Sequence, residues 1–188
     1  MRRLRYSVAV SLDGFIAGPN GEIDWIVQDP SIDFVAMFAE YDIFVMGRLT
    51  YEVALPRTAL WPFTGQRWIV ASRTLKPEEH PGITALSHGV AEEVAALKAQ
   101  PGKDIWLFGG GVLFRSLLDA GLVDTVEVAL MPVMLGSGTP LVAEGQRIGL
   151  DLKESKALAS GILMLSYLAA RGESRVLKGH GFRRAAKI

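Results

Sequence analysis

The chain of 188 residues contains no cysteine. That single absence removes disulfides, thiolate nucleophiles and cysteine-based zinc or iron–sulfur sites together. Histidine is scarce too: His80, His88 and His180 stand far apart, so spacing suggests no metal cluster and no metal is expected. No apolar run approaches the ~18 residues a membrane-spanning helix needs. The opening Met1-Arg-Arg-Leu-Arg5 resembles the start of a signal peptide, but the stretch after it is broken by Ser7 and Ser11 and ended by Asp13, and reads better as a first strand. An excess of one charge is also missing, with 20 basic against 20 acidic residues. The chain is therefore neither a disordered polyanion nor an overall basic nucleic-acid binder. By elimination, the expected partner is a small molecule, with no nucleic acid and no membrane involved, and the expected location is the cytoplasm.

What is present suits one ordinary core. Hydrophobic residues make up 49% of the chain, and its length is that of a single domain. Leu4 to Leu12 is a continuous apolar run, the pattern of a central strand. Asp13 to Pro30 is rich in Gly, Pro, Asn and Asp, and reads as a long binding loop or lid, with a plain connector as the alternative. From Ser31, Phe34, Met37, Phe38 and Tyr41 follow helical spacing, with Asp29 or Ser31 as the cap. Strands are expected at 43–46, 67–72, 105–108 and 123–131, and helices at 50–53, 91–99 and after Gly111. The stretches 151–159 and 162–169, separated by Ser160-Gly161, read as a hairpin. A mixed α/β sheet, antiparallel at its final edge, follows. Residues 1–171 form the expected domain. The segment 172–188, with Arg175, Lys178, Arg183, Arg184 and Lys187 against Glu173, reads as a solvated, mobile basic tail.

Chemistry concentrates where strands end. In Met46-Gly-Arg-Leu-Thr50, a buried strand meets Gly47 and a helix begins at once, so unpaired first-turn amides, Arg48 and the Thr50 hydroxyl can hold a phosphate. A glycine turn with a solvated arginine is the plainer reading. Ala71-Ser-Arg73 places Ser72 and Arg73 after the next strand, either as a second clamp on a dianionic phosphate or as a capped turn facing water. The most specific turn is Phe108-Gly-Gly-Gly-Val-Leu-Phe114. Gly109, Gly110 and Gly111 remove every Cβ where a backbone can approach a pyrophosphate, at a helix N-terminus. Val112 and Leu113 follow where the Rossmann fingerprint needs another pattern, so phosphate binding stands and a Rossmann fold does not. Asp13 is either a polar group near the substrate or an ordinary turn residue before Gly14. Glu127 interrupts an apolar strand, and faces either a site or an exposed sheet surface.

These pieces, in this order, resemble the dihydrofolate-reductase superfamily, and more closely its branch containing the reductase domain of the bifunctional riboflavin-pathway deaminase/reductase. The resemblance rests on Ser11-Leu-Asp-Gly-Phe-Ile-Ala17, Asp24-Trp25, Met46-Gly-Arg-Leu-Thr50, Ala71-Ser-Arg73, Phe108-Gly-Gly-Gly111 and Pro132-Val-Met-Leu-Gly-Ser-Gly-Thr-Pro-Leu141, spanning nearly the whole chain. It implies a three-layer α/β/α fold with NADPH across the carboxyl ends of the strands. Gly47, Arg48, Thr50, Ser72 and Arg73 would then hold the 2′-phosphate and its neighbours, and Gly109-Gly110 would meet the pyrophosphate, often through a cis bond. Ala9, Ile16 and Phe114 would line the nicotinamide pocket, and the loop from Asp13 to Trp25 would close over the ring. Trp25, Phe34 and Glu127 are the expected substrate-pocket residues, and relatives of this branch often form homodimers.

Two departures from the family pattern bear on function. Dihydrofolate reductases carry one carboxylate on the helix after the tryptophan loop. Here no acid falls unambiguously at that position: Asp33 is the candidate, and a helix-terminal dipole partner is the equal alternative. The zinc motifs of the deaminase half are missing. The expected activity is therefore NADPH-dependent hydride transfer to a small heterocyclic or carbonyl substrate, most like 5-amino-6-(5-phosphoribosylamino)uracil reductase. The alternatives are a dihydrofolate reductase or a non-catalytic nucleotide-binding module.

Overall fold

The computed structural model describes residues 1–57 and 65–169; the basic tail expected from 172 onward lies outside them. The elements are β1 (Leu4–Ser11), β2 (Phe15–Ala17), α1 (Phe34–Ala39), β3 (Tyr41–Gly47), α2 (Arg48–Ala54), β4 (Arg67–Ala71), β5 (Ile83–Leu86), α3 (Val90–Ala99), β6 (Asp104–Gly109), α4 (Gly111–Asp119), β7 (Thr125–Met131), β8 (Thr139–Pro140), β9 (Leu150–Ala157) and β10 (Leu163–Ala169). Eight strands form one sheet in the order β5-β4-β3-β6-β1-β7-β10-β9. β5 through β7 run parallel, and β10 is antiparallel to both β7 and β9. The final hairpin thus closes the sheet as an antiparallel edge.

Alternation along each strand sends neighbouring side chains to opposite faces. On one face Leu4, Tyr6 and Val10 of β1 join Ile43, Val45, Ile69, Ile105 and Leu107 beneath Val94 and Leu97 of α3 and Phe114 and Leu117 of α4. On the other, Phe44, Met46, Trp68, Val70 and Trp106 pack under Phe38 of α1 and Tyr51 and Ala54 of α2. Three layers result. α1 and α2 cover the second face over β4, β3 and β6, whereas over β1, β7, β10 and β9 no helix among the described residues covers it.

The helix start differs from the expected one. Asp33, rather than Asp29 or Ser31, caps α1, its Oδ1 accepting the Ala36 N–H at 2.9 Å. Asp29 is turned to Ser31, accepting its N–H at 2.8 Å, and to the Ser160 N–H at 3.3 Å, which ties the long loop to the β9–β10 hairpin. Tyr41, placed on the helix face by spacing, instead opens β3 and is buried. The helix stops at Ala39 because Glu40 closes it with its own N–H on Met37 and Phe38 carbonyls. β5 and the small β2–β8 ribbon, which were not foreseen, complete the architecture.

Candidate active site

Because β1, β3, β4 and β6 are parallel, their carboxyl ends come out at one edge of the sheet. Met46 pairs with Gly109 and Gly47 with Ala71, so the tips of β4, β3 and β6 are adjacent. A Cβ on Gly47 would lie 3.9 Å from the Gly110 nitrogen. The tips bearing Arg48 and Gly110 therefore adjoin, and Ala71, two residues before Arg73, lies beside Gly47. α4 begins at Gly111 behind the N-cap Gly110, and no side chain caps it. Its first-turn amides are thus open to an anion. The Gly109–Gly110 peptide is cis. Gly109 has φ +140°, and a Cβ there would meet Thr50 Oγ1 at 3.2 Å. At Gly111 a Cβ would lie 2.5 Å from the Pro140 carbonyl oxygen. At Gly111 packing against backbone requires glycine, and the three glycines leave a smooth cradle of amides beside Thr50 and Arg48.

From this cradle a cleft of about 1880 Å3 runs over the open half of the sheet. Single-ligand pockets are ~300–1,000 Å3, so there is room for a dinucleotide with a second molecule beside it. Ala9, Ile16, Gly47, Arg48, Thr50, Phe108, Gly109, Gly110, Gly111, Val112, Leu113, Phe34 and Glu127 all line it. The loop segment 19–32 contributes Ile23, Ile26 and Val27 to its wall.

Other expected residues are placed elsewhere. Phe114 faces the opposite side of the sheet, buried and stacked on Tyr6 with centroids 3.8 Å apart. Residues 111–113 face the cleft, and the next step of the helix turns Phe114 into the core. Trp25 folds back on its own loop, its Nε1 donating to the Glu22 carbonyl at 2.9 Å. The Ser72 hydroxyl accepts the Thr74 and Leu75 amides, so it serves its own turn, and Arg73 is exposed beside it. The Asp13 carboxylate accepts the Leu135 amide at 3.1 Å and the Gly136 amide at 2.7 Å, as well as the Ser11 hydroxyl at 2.6 Å. These bonds, the Ser11 hydroxyl first, hold its pKa at about 2. Asp13 thus pins the loop 132–139 to the end of β1. Asp33 is exposed at its helix cap. Among the described residues, no three His, Asp or Glu side chains gather as metal ligands would.

The floor of the cleft holds what sequence reading missed. Arg5 of β1 grips Glu127 of β7 with a fork, Nε to Oε1 at 2.8 Å and Nη2 to Oε2 at 2.9 Å. Its other nitrogen, Nη1, pairs with Glu40 and lies 3.6 Å from Asp104. Its guanidinium carbon sits 4.8 Å from the centroid of the Tyr41 ring. Burial opposes the charge on Arg5, but the hydrogen bonds to Glu127 and Glu40 outweigh it and raise its pKa further. In register, Ser7, Glu127, Ser166 and Glu154 form one row across four strands. Ala9, Ala129, Met164 and Lys156 form the next row, one step closer to the strand tips. The signal for β1 was available: Arg5, Ser7 and Ala9 alternate with Leu4, Tyr6, Val8 and Val10 inside the apolar run.

A three-layer α/β/α sandwich with a cleft at the tips of its parallel strands is the dihydrofolate-reductase-like architecture; a dihydrofolate reductase from Enterococcus faecalis superposes with a TM-score of 0.64 at 19% identity, over 90% of this chain and 97% of that one. Within that fold the chain belongs to the RibD C-terminal domain family, whose model matches residues 2–164. It is similar to the uncharacterized protein YyaP of Bacillus subtilis, 35% identical over 178 residues, 88% of this chain and 94% of the relative. A putative riboflavin biosynthesis protein from Shewanella sp. PV-4 has the same fold at 26% identity, with a TM-score of 0.76 over 91% of this chain and all of that one.

Proposed function

We propose that the chain is an NADPH-dependent reductase that delivers a hydride to a small heterocyclic or carbonyl substrate, of the kind reduced in riboflavin biosynthesis. One observation carries the reading: three strand tips meet in a glycine-lined cradle beside an open sheet floor, in a cleft large enough for two molecules. The donor set fits a phosphorylated dinucleotide. The uncapped start of α4 offers amides to a pyrophosphate, while Arg48 and Thr50 from one tip and Arg73 from the next offer charge and a hydroxyl to a terminal phosphate. When bound, the dinucleotide supplies the hydride; everything else falls to the protein.

The protein's part is positioning and shielding. Ala9 and Ala129 leave the sheet floor flat, so a ring can lie against it. The loop 19–32, tied at Asp29 to the hairpin, walls the cleft and restricts water. Asp33, the candidate proton donor by position, is committed to capping α1, which favours a riboflavin-type substrate over dihydrofolate. Steady-state oxidation of NADPH should therefore be faster with 5-amino-6-(5-phosphoribosylamino)uracil than with dihydrofolate. The reverse order would move the protein to the folate class. Tight cofactor binding without turnover of either, or of a panel of related pyrimidines and carbonyls, would mark a non-catalytic nucleotide-binding module instead.

A further inference from the structure

We propose that Glu127 selects the substrate by accepting an N–H from it, so that this part of the cleft takes a neutral or cationic nitrogen compound and rejects an anionic group at the same position. The inference builds on the reductase reading above by giving a chemical class to the molecule beside the cofactor. A carboxylate has about four acceptor positions on its two oxygens. On Glu127, Oε1 receives Arg5 Nε at 2.8 Å and the Thr125 hydroxyl at 3.0 Å, whereas Oε2 receives only Arg5 Nη2 at 2.9 Å. One acceptor position on Oε2 is left, and the side chain is 19% exposed on the cleft floor.

The neighbouring cation does not cancel this preference by binding anions itself. Arg5 donates from each of its three nitrogens to Glu127 or Glu40, lies 3.6 Å from Asp104 and has the Tyr41 ring on one face, so this single cation is already outnumbered by three carboxylates. It therefore orients Glu127, and the charge left at this part of the cleft is negative. The remaining lysine or arginine among the described residues lining this half is Lys156, on the outermost strand. Ser166 stands beside Glu127 in register, and Glu154 stands beyond it, two strands or ~10 Å from Glu127. One step nearer the strand tips the floor is Ala9, Ala129 and Met164, and Phe34 and Trp106 also line the cleft. That combination receives a flat ring lying on the small apolar row with its N–H edge turned back to Glu127.

Benzamidine and benzoate are flat, equal in size and opposite in charge, and they test this directly. Each is titrated calorimetrically into the full chain, with and without saturating NADPH. Benzamidine should bind at least tenfold more tightly than benzoate, since a charge-assisted hydrogen bond corresponds to roughly that factor or more. Glu127→Gln should narrow the gap about tenfold while NADPH affinity is unchanged, and Glu93→Gln, on α3 at the opposite face, should leave the gap as it was. Equal binding of the two probes by the unmodified protein would overturn the proposal, as would a gap that survives in Glu127→Gln. The contrast in the unmodified protein needs no variant to fold. If it holds while NADPH fails to bind, the cofactor reading is wrong and the assignment of Glu127 stands.

Discussion

One face of one sheet is finished in two ways. Over β4, β3 and β6 it is aromatic and sealed: Phe44, Trp68 and Trp106 interlock with Phe38 and Tyr51, with ring centroids 5.0–6.1 Å apart. Over β1, β7, β10 and β9 the same face carries Ser7, Ala9, Glu127, Ala129 and Ser166, and among the described residues no helix lies on it. The difference shows that stability and recognition are separated laterally within the sheet. The sealed half holds the strand tips in place, and the open half leaves them something to face.

Breaking the sealed half should produce the largest effect. Phe44 is fully buried, so Phe44→Ala removes a ring with no room for collapse and should cost about 3–5 kcal/mol. Urea denaturation would measure it; a loss below about 1 kcal/mol would mean the aromatic cluster is not what supports the cradle. At the boundary between the halves, Gly111→Ala puts a methyl 2.5 Å from the Pro140 carbonyl oxygen. Backbone must shift, at about 1–3 kcal/mol, and NADPH affinity should fall with it. Calorimetry alongside melting would read both, and unchanged affinity would detach Gly111 from the cradle.

How much of this was legible in the sequence follows the same division. The sealed strands could be read because continuous runs such as Ile43–Met46 and Ile105–Phe108 have one interpretation, and the three glycines after Phe108 mark a turn too tight for Cβ atoms. The open half was harder. Arg5 and Glu127 are 122 positions apart, and only the pairing of β1 with β7 brings them together. The two-residue β8 has no periodicity to detect, and Phe114 was assigned to the cleft although one helical step past Leu113 turns it to the core. Asp13, ambiguous in the sequence, became a loop clamp because Leu135 and Gly136 approach it from a distant segment.

Smaller effects sharpen the contrast on the open side. Glu127→Ala takes from Arg5 its forked partner, leaving Glu40 and Asp104, and should cost about 1–2 kcal/mol. Arg5→Ala with Glu127→Ala should cost less than the two single changes added, which a double-mutant cycle in denaturant would reveal; strict additivity would mean the pair is not coupled. The acid limb should carry a signature of the loop clamp. The Asp13 pKa is depressed to about 2 from an ordinary ~3.9, so its stabilising effect is complete above ~4 and lost as pH falls toward 2. Asp13→Asn should melt lower than the parent at pH 6 and lose that difference near pH 2. A difference independent of pH would assign the effect to geometry rather than charge.

The most direct test of the converging strand tips compares NADPH with NADH in binding titrations of the parent, Arg48→Ala and Arg73→Ala. Both arginines are exposed, so each replacement should narrow the preference for NADPH by roughly fivefold, as partly screened contacts allow, and leave NADH affinity nearly unchanged. A parent protein that binds both dinucleotides equally, or neither at millimolar concentration, would contradict the cradle.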